Sequence, residues 1–254
     1  MGRKIVIVGG VAGGASAAAK ARRKDEFAEI IIFEKGSYIS FANCGLPYYI
    51  SGEITNRENL LLQTPESFKT RHNIEVKTNH EVVKLLREQK CVVVKDLSSG
   101  CKFEENYDKL ILATGAMPII PPLPGIKARN VFYLRTLPDM DDIQHYLSSN
   151  PVTHVMVVGG GSIGLETAEA LLGRGLKVTV IEKGNQLLPP MDKEMIQPVL
   201  AHLREKGVEV ILNDGIKEFL TDQDGVAREV VLDSGHTIPL QMATLSIGIR
   251  PDIQ

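Results

Sequence analysis

The sequence predicts an α/β protein made of two similar halves, each built on a β-strand, a helix and a second β-strand. The first observation is an internal repeat, in which "KIVIVGGVAGGASAAAKARRKDEFAEIIIFEK" (4–35) and "HVMVVGGGSIGLETAEALLGRGLKVTVIEK" (154–183) follow one plan. Each segment has an apolar β run, a glycine-rich turn, an alanine-rich helical stretch and a β run that ends in Glu-Lys. The second observation is that further β patterning follows each segment, and the third is a linker-like, proline-rich stretch between them (117–126). Units of this kind are typical of parallel sheets.

The glycine-rich turn of the second segment fits G-x-G-x-x-G through Gly159, Gly161 and Gly164. The first glycine permits a tight turn, the second lets the backbone approach a pyrophosphate, and the third lets the helix pack on the strand. The helix then presents free N–H groups and the positive end of its dipole to the phosphates. Glu182 ends the second β run, where a carboxylate can accept hydrogen bonds from ribose hydroxyls. The segment therefore predicts a Rossmann-like dinucleotide-binding unit.

The first segment carries the same signal with one departure. Gly9 and Gly14 match the pattern, Val11 replaces the middle glycine, and Glu34 stands 20 residues after Gly14. One such fingerprint is a weak signal, because glycine-rich turns also occur in other α/β proteins. Two in one chain, each with its strands and its acid, predict two dinucleotide sites. Two adjacent dinucleotides indicate electron transfer, most simply between a nicotinamide and a flavin.

The β runs after each unit complete the predicted fold. After the first unit, β patterning continues from 75 to a last strand that ends at Ala113-Thr114-Gly115. After the second unit, runs at 207–212, 227–240 and 243–252 predict another meander. The fold class is therefore α/β, with two Rossmann-like dinucleotide-binding domains, each a parallel sheet with a β-meander.

Composition excludes several classes of protein. The 254 residues are 43% apolar and 24% charged, which is typical of a globular protein. A formal net charge of −2 gives no electrostatic reason to expect nucleic acid or a membrane surface as partner. The N-terminus imitates a signal peptide, but glycines at positions 9, 10, 13 and 14 interrupt the apolar run that a signal needs.

The cysteines and histidines indicate neither a disulfide nor a metal site. Cys44, Cys91 and Cys101 form no C-x-x-C, and a hairpin turned at "LSSG" (97–100) places residue 101 opposite residue 96 rather than Cys91. The odd number of cysteines predicts a reducing, cytoplasmic setting. The six histidines are scattered without the spacing of metal ligands.

The stretch "SFANCGLPYY" (40–49) sets a lone cysteine, Cys44, among small, turn-forming and aromatic residues. From these ten residues alone, a buried structural thiol is favoured over a reactive one. The two dinucleotide sites favour a reactive thiol instead, because such a cysteine could exchange electrons with the two bound nucleotides.

Together, "GGVAGGASAA", "IIIFEK" and "SFANCGLPYYISGE" closely resemble the coenzyme A-disulfide reductases and their relatives, including those fused to a rhodanese domain. This group lies within the pyridine nucleotide–disulfide oxidoreductase superfamily. The likeness continues through Thr114-Gly115, the second fingerprint and "SIGIRPD", so it spans essentially the whole chain.

The resemblance implies that the first unit binds FAD and the second binds NAD(P)H. It implies an FAD-binding domain over 1–120 and an NAD(P)H-binding domain over 121–242, with 243–254 starting the return into the FAD domain. The chain is then expected to be truncated before the rest of the FAD domain and a dimerisation domain, to hold FAD weakly by itself, and to form a homodimer when complete. The positions expected to bind cofactor are Gly9, Val11, Ala12, Gly13, Gly14, Glu34, Lys35, Thr114, Gly115, Gly159, Gly161, Ser162, Ile163, Gly164, Glu166, Glu182 and Lys183.

The resemblance also implies a role for Cys44 as the catalytic residue. Many members of the superfamily use a C-x-x-x-x-C pair, but here Ile39 and Tyr49 stand five residues to either side. The implied partner is coenzyme A, held in a mixed disulfide that electrons from NAD(P)H reduce by way of the flavin. Pro47 predicts a short helix whose N-terminus would favour the thiolate.

Substrate and nucleotide contacts follow from the same resemblance. Glu166 is expected near the nicotinamide, with an ordinary helix carboxylate as the alternative. Glu182 should repel a 2′-phosphate and so favour NADH, although the adjacent Lys183 weakens that preference. For Lys20, Arg22 and Arg23, a solvated helix end is as well supported as phosphate binding. The positions expected to contact coenzyme A are Ser16, Lys20, Arg23, Ser40, Asn43 and His72.

Three alternatives remain open from the sequence. A reductase of coenzyme A persulfide or polysulfide would use the same cysteine. An NADH oxidase or peroxidase would cycle the thiol through sulfenic acid, but Ala12 stands where those relatives carry a histidine. A non-enzymatic flavin redox sensor would have Cys44 buried.

Overall fold

The computed structural model describes residues 2–253. The helices are α1 (Gly13–Lys24), α2 (Leu46–Ser51), α3 (Pro65–His72), α4 (Leu137–Ser149), α5 (Ser162–Gly173) and α6 (Lys193–Glu205). The strands are β1 (Lys4–Val8), β2 (Glu29–Phe33), β3 (Glu75–Lys77), β4 (His80–Leu86), β5 (Cys91–Asp96), β6 (Lys102–Asn106), β7 (Lys109–Leu112), β8 (Ala116–Pro118), β9 (Val131–Tyr133), β10 (His154–Val158), β11 (Lys177–Glu182), β12 (Glu209–Leu212), β13 (Ile216–Thr221), β14 (Ala227–Leu232), β15 (Thr237–Pro239), β16 (Met242–Leu245) and β17 (Ile249–Pro251).

The described residues form two compact units. The first unit comprises residues 2–42, 57–116 and 251–253, and the second comprises residues 43–56 and 117–250. The predicted α/β class with parallel sheets is confirmed in both. Strands β8 and β17 pair as a two-stranded sheet at the positions where the chain leaves one unit for the other.

The first unit is built on a parallel sheet in the order β3-β2-β1-β7, with a separate antiparallel sheet β4-β5-β6. Because side chains alternate along a strand, β1 and β2 bury both of their faces. One face packs against α1 and α3 through Ile7, Ile30, Ile32, Ala18 and Phe68. The other face packs against the antiparallel sheet through Val6, Ile31, Phe33, Val92 and Val94.

The second unit repeats the plan with a parallel sheet in the order β12-β11-β10-β16-β9 and an antiparallel sheet β13-β14-β15. Its central strand β10 is almost wholly apolar and buried, as expected of a parallel strand covered on both faces. One core cluster joins the two sheets through Met156, Ile181, Phe219, Val230 and Leu245.

Parts of the predicted meanders are wrong. Strands β3 and β7 belong to the first parallel sheet, and β12 and β16 belong to the second. The runs at 207–212 and 243–252 are expected in a β-meander, but β12 and β16, which they contain, lie parallel to their neighbours in the Rossmann-like sheet. The reason is that an apolar run specifies burial and leaves the choice of partner strand to the rest of the fold.

The structure also places domain boundaries differently from the sequence expectation of 1–120, 121–242 and 243–254. The second unit begins at Met117, runs to Arg250, and includes Asn43–Asn56. Residues 117–126 are more than a linker, because Phe219 N donates to Pro124 O over 2.9 Å and a Cβ on Gly125 would lie 2.1 Å from Phe219 O. Among residues 2–253, the longest apolar helices are still too short or too polar to cross a bilayer.

Candidate dinucleotide sites and redox cysteine

The second glycine turn leaves no room for side chains at two of its three glycines. Gly159 has φ +106°, and a Cβ there would lie 2.4 Å from Ser246 O. A Cβ on Gly164 would lie 2.0 Å from Gly159 O, so the helix packs directly on the turn. At Gly161 a Cβ would meet no atom within 4 Å. Gly161 therefore borders open space, which is the arrangement that a pyrophosphate needs.

The first turn has the same geometry. Gly9 has φ +95°, with a Cβ 2.1 Å from Ala113 O, and a Cβ on Gly14 would lie 1.7 Å from Gly9 O. Ala12 and Gly13 are exposed beside it, and Val11 is partly buried. A valine at the middle position leaves less space for a pyrophosphate than a glycine would. The backbone still follows the same course as in the second turn.

The helices that follow both turns lack the N-terminal capping boxes that α3 and α4 have. Helix α3 has a capping box between Thr64 and Ser67, and α4 has one between Thr136 and Asp139. Helices α1 and α5 begin after Ala12 and Gly161, with no side-chain cap and no acidic residue in the first turn. Their first N–H groups therefore remain available to an anion, at the positive end of each helix dipole. The residues present fit a bound dinucleotide diphosphate at both turns.

The two strand-end carboxylates hold their glycine turns in place. Glu34 Oε2 accepts from Gly10 N over 2.7 Å, and Oε1 accepts from Gly36 N over 2.7 Å. In the second unit Glu182 accepts from Gly160 N over 2.7 Å and from Gly184 N over 2.6 Å. Each carboxylate oxygen keeps a further lone pair that can accept from a ribose hydroxyl. Ribose binding by Glu34 and Glu182 remains a prediction.

Asp252 is a residue of this region that the sequence interpretation missed. Its carbonyl accepts from Thr114 Oγ1 over 2.5 Å, and its N–H donates to Gly115 O over 3.0 Å. Its carboxylate pairs with Lys35 Nζ at 2.8 Å. The predicted cofactor-binding residues Lys35, Thr114 and Gly115 therefore converge on one acidic residue. The motif "IRPD" was the available signal.

Cys44 is exposed and belongs to the second unit. It lies in a 3₁₀ turn, Asn43–Gly45, immediately before α2, so the predicted short helix at Pro47 is confirmed. Helix α2 packs against α4 and α5. Arg174 Nη1 donates to Ile50 O over 3.0 Å, and Asn43 Nδ2 donates to Arg135 O over 3.3 Å. Both ends of the Cys44 segment (43–51) are thus fastened to the second unit.

The other two cysteines lie in the first unit and are free, as predicted. Asp96 N donates to Cys101 O over 2.9 Å, and Cys91 stands opposite Asn106, so the hairpin has the expected register. Cys91 is 1% exposed, and this burial, with a smaller contribution from Glu104, raises the pKa of its thiol. A thiol in that environment has a structural role.

Five of the six predicted coenzyme A contacts lie in the first unit, and the sixth, Asn43, lies in the second. Ser16, Lys20 and Arg23 are exposed, and their spacing of four and three places them on one face of α1. The side chains of Lys20 and Arg23 form no hydrogen bond or ion pair with any residue between 2 and 253. His72 is partly buried, with its ring edge-on to Phe68 at 5.6 Å. Ser40 has φ +45°, and its N–H donates to Gly10 O over 3.1 Å.

For Arg22 the solvated interpretation is wrong. Its Nε donates to His72 O over 2.8 Å, its Nη2 donates to Asn73 O over 2.8 Å, and its Nη1 donates to Glu26 O over 2.6 Å. Arg22 therefore satisfies carbonyl groups at the ends of α1 and α3.

The remaining predicted nucleotide contacts line the start of α5 and the end of β11. Ser162, Ile163 and Glu166 are all exposed there. Lys183 Nζ pairs with Asp233 Oδ2 at 3.1 Å. No group of three His, Cys, Asp or Glu within residues 2–253 has a metal-binding arrangement.

Comparison with known proteins agrees with this architecture. The chain is 39% identical over 249 residues to coenzyme A disulfide reductase of Staphylococcus aureus (strain JH9), an alignment that covers 98% of this chain and 55% of the relative. It superposes on reduced Bacillus anthracis CoADR-RHD with TM-score 0.95 and 46% identity, covering 99% of this chain and 45% of that one. A NAD-dependent persulfide reductase from A. fulgidus gives TM-score 0.93 and 36% identity, covering 98% and 46%.

The chain spans about half the length of these relatives. The profile of one family, pyridine nucleotide-disulphide oxidoreductase, matches residues 3–254. The chain belongs to the pyridine nucleotide-disulphide oxidoreductase family.

Proposed function

We propose that the full-length protein is a flavoprotein oxidoreductase that uses NADH, FAD and Cys44 to reduce coenzyme A disulfide. The observation that carries the proposal is the setting of Cys44. It is exposed, it lies within the motif "SFANCGLPYYISGE", and it is the only cysteine among the described residues of its unit. Because its unit holds no second thiol among the described residues, Cys44 needs a disulfide partner from outside the unit, and we assign that role to coenzyme A.

The two glycine turns support binding of two dinucleotides. Uncapped N–H groups at α1 and α5 would hold the pyrophosphates, and Glu34 and Glu182 would accept from the riboses. Bound flavin and nicotinamide supply hydride and electron-pair transfer, which no side chain of this protein can supply.

Cys44 performs the thiol chemistry. Its thiolate attacks one sulfur of coenzyme A disulfide, so that a Cys–S–S–CoA bond forms, the substrate S–S bond breaks, and one coenzyme A leaves as a thiolate that solvent protonates. Reduction of the mixed disulfide by two electrons, which bound NADH and flavin would supply, breaks its S–S bond. The second coenzyme A then leaves as a thiolate that solvent protonates, and the Cys44 thiolate is restored.

A persulfide reductase is the second candidate function. The likeness to the persulfide reductase from A. fulgidus, at TM-score 0.93, favours it specifically. In that reaction Cys44 would attack the terminal sulfur of coenzyme A persulfide, so that the S–S bond of the substrate breaks, coenzyme A leaves as a thiolate and Cys44 becomes a persulfide. Two electrons from the bound cofactors would then release the extra sulfur as hydrogen sulfide and restore the Cys44 thiolate. The exposed position of Cys44 argues against a sensor with a buried thiol.

The test is intact mass spectrometry of the full-length protein purified without reductant, with Cys44→Ser and Cys101→Ser as matched variants. We expect a coenzyme A adduct in the parent and in Cys101→Ser, and none in Cys44→Ser. Steady-state assays then compare coenzyme A disulfide, coenzyme A persulfide and hydrogen peroxide as oxidants of NADH. No adduct together with preferential turnover of peroxide would replace the proposal with the sulfenic acid mechanism.

A further inference from the structure

The end of β11 is surrounded by the loop after β12 and the turn after β14. Asp214 N donates to Glu182 O over 3.3 Å, and Asn213 N donates to Gly184 O over 2.9 Å. Ser234 Oγ donates to Asp214 Oδ2 over 2.6 Å. These contacts fasten Asp214 and, through Ser234, the turn after β14 beside the strand end that carries Glu182 and Lys183.

The exposed side chain of Lys183 pairs with Asp233 in the turn after β14. Its Nζ lies 3.1 Å from Asp233 Oδ2. A Cβ on Gly215 would lie 2.4 Å from that same oxygen and 3.2 Å from Lys183 Cδ. The absence of a side chain at residue 215 therefore opens the path that the lysine stem takes. Asp233 is held from the opposite side, because its N–H donates to Gly215 O over 2.8 Å.

The charge balance of this edge is negative. Glu182, Asp214 and Asp233 are acidic, Lys183 pairs with Asp233, and His236 lies close enough to Asp214 to act on its carboxylate. Hydrogen bonds from the Ser234 hydroxyl and backbone keep the pKa of Asp214 below its ordinary value, so it is ionised at neutral pH. A lysine already paired with a carboxylate has little attraction left for a phosphate dianion.

We infer that Asp233 is a specificity-determining residue, which selects NADH over NADPH by holding Lys183 away from the 2′-position of the adenosine ribose. The inference rests on the proposed function, since it requires a nicotinamide nucleotide at the second glycine turn. Glu182 supplies direct repulsion of the 2′-phosphate. Asp233 pairs with Lys183, the cation next to Glu182 in the sequence, and so keeps it from offsetting that repulsion.

The test measures binding of two nicotinamide-free probes, ADP-ribose and 2′-phospho-ADP-ribose, to the full-length protein by isothermal titration at low salt. The variants are Asp233→Asn, Asp233→Ala, Lys183→Ala and the double variant Asp233→Asn/Lys183→Ala. Asp222→Asn is the matched control, because Asp222 pairs with Arg228 at 2.7 Å at the opposite end of β14. The ratio of kcat/KM for NADPH and NADH is measured in parallel.

We expect Asp233→Asn and Asp233→Ala to raise relative affinity for the 2′-phosphorylated probe by about 1.5- to 5-fold, the range expected for an exposed charge pair. The gain should vanish in the double variant and be absent in Asp222→Asn. An unchanged ratio in both Asp233 variants, or a gain that survives without Lys183, overturns the inference alone. If the parent binds neither probe, the proposed function fails and the inference fails with it.

Discussion

The backbone N–H of Gly160 donates a 2.7 Å hydrogen bond to Glu182 Oε2, and the same bond joins Gly10 to Glu34 in the other unit. The acid at the end of each strand therefore has a structural role before any ribose is bound. It fixes the glycine turn by satisfying a backbone donor that would otherwise lack a partner. Each acid also accepts from a glycine two residues further on.

Replacing Glu34 by glutamine should destabilise the protein. Glu34 is 8% exposed and accepts from two backbone N–H groups, so an amide would turn one acceptor into a donor facing a donor. We expect a loss of about 1–3 kcal/mol in the free energy of unfolding, measured by urea titration. The control is Glu29→Gln, an exposed partner of Lys4 whose loss should be below about 1 kcal/mol. Equal losses in the two variants would contradict the structural role of Glu34.

Cys44→Ser should separate the two halves of the proposed reaction. Serine keeps the size and local hydrogen bonding of the residue but cannot form a mixed disulfide. We expect reduction of coenzyme A disulfide to fall at least a hundredfold, while rapid mixing shows flavin reduction by NADH close to the parent rate. Cys101→Ser, an exposed thiol of the other unit, should leave both rates intact. Substantial disulfide reduction by Cys44→Ser would return this thiol to a structural role.

Arg174 is predicted to position the Cys44 segment (43–51). Its guanidinium donates to Ile50 O at the end of α2 and to Gln144 Oε1 on α4, so it ties the short helix to its neighbour. Arg174→Ala should raise amide hydrogen exchange across α2 and slow reduction of coenzyme A disulfide several-fold, with flavin reduction by NADH preserved. Arg174→Lys should recover part of the rate, because one donor remains. The control is Arg204→Ala, at an exposed position of α6, which should change neither hydrogen exchange across α2 nor the rate of disulfide reduction.

Loss of both half-reactions in Arg174→Ala would contradict a positioning role and indicate general unfolding.

The glycine turns could be predicted from sequence because only glycine fits the backbone geometry at these positions. At Gly159 and Gly164 a neighbouring carbonyl occupies the place of a side chain, so no other residue fits without a backbone shift. The placement of the Cys44 segment could not be predicted in the same way. It depends on contacts such as that between Arg174 and Ile50, which are 124 residues apart. Tertiary contacts of this kind leave no local pattern.

Two other features could not be predicted from the sequence for related reasons. Strand β16 carries the apolar run of a buried strand, but the run does not specify that its neighbours are β9 and β10. Asp233 is a single acid after a strand, which is also the ordinary composition of a turn. Its relation to Lys183 depends on the bare backbone at Gly215.

The stability of the second unit should depend on pH through Asp214. Its pKa is lowered in the folded state, chiefly by the Ser234 hydroxyl, so the carboxylate stabilises the fold above its unfolded pKa and loses that contribution as pH falls through about 4 and below. Ser234→Ala should therefore be less stable than the parent at pH 6, and the difference should shrink toward pH 3. Urea unfolding across this range measures it. The control is Ser148→Ala, because the Ser148 hydroxyl donates to a backbone carbonyl, so its loss of stability should not depend on pH. A pH-independent loss in Ser234→Ala would refute the role of Asp214.

Two glycine-to-alanine substitutions in one turn should have opposite consequences. Gly161 has φ −77° and open space in front of it, so alanine there should fold normally and obstruct the approach of a pyrophosphate. Gly164→Ala would drive a methyl group to 2.0 Å from Gly159 O, so it should lower the melting temperature by several degrees. Gly173→Ala is the control, because a Cβ there would come no closer than 3.9 Å to Ser51 Cβ. Thermal unfolding and ADP-ribose titration distinguish the roles: we expect Gly161→Ala to weaken binding at least tenfold with an unchanged melting temperature. Normal ADP-ribose affinity in Gly161→Ala would mean that the nucleotide does not lie against this turn.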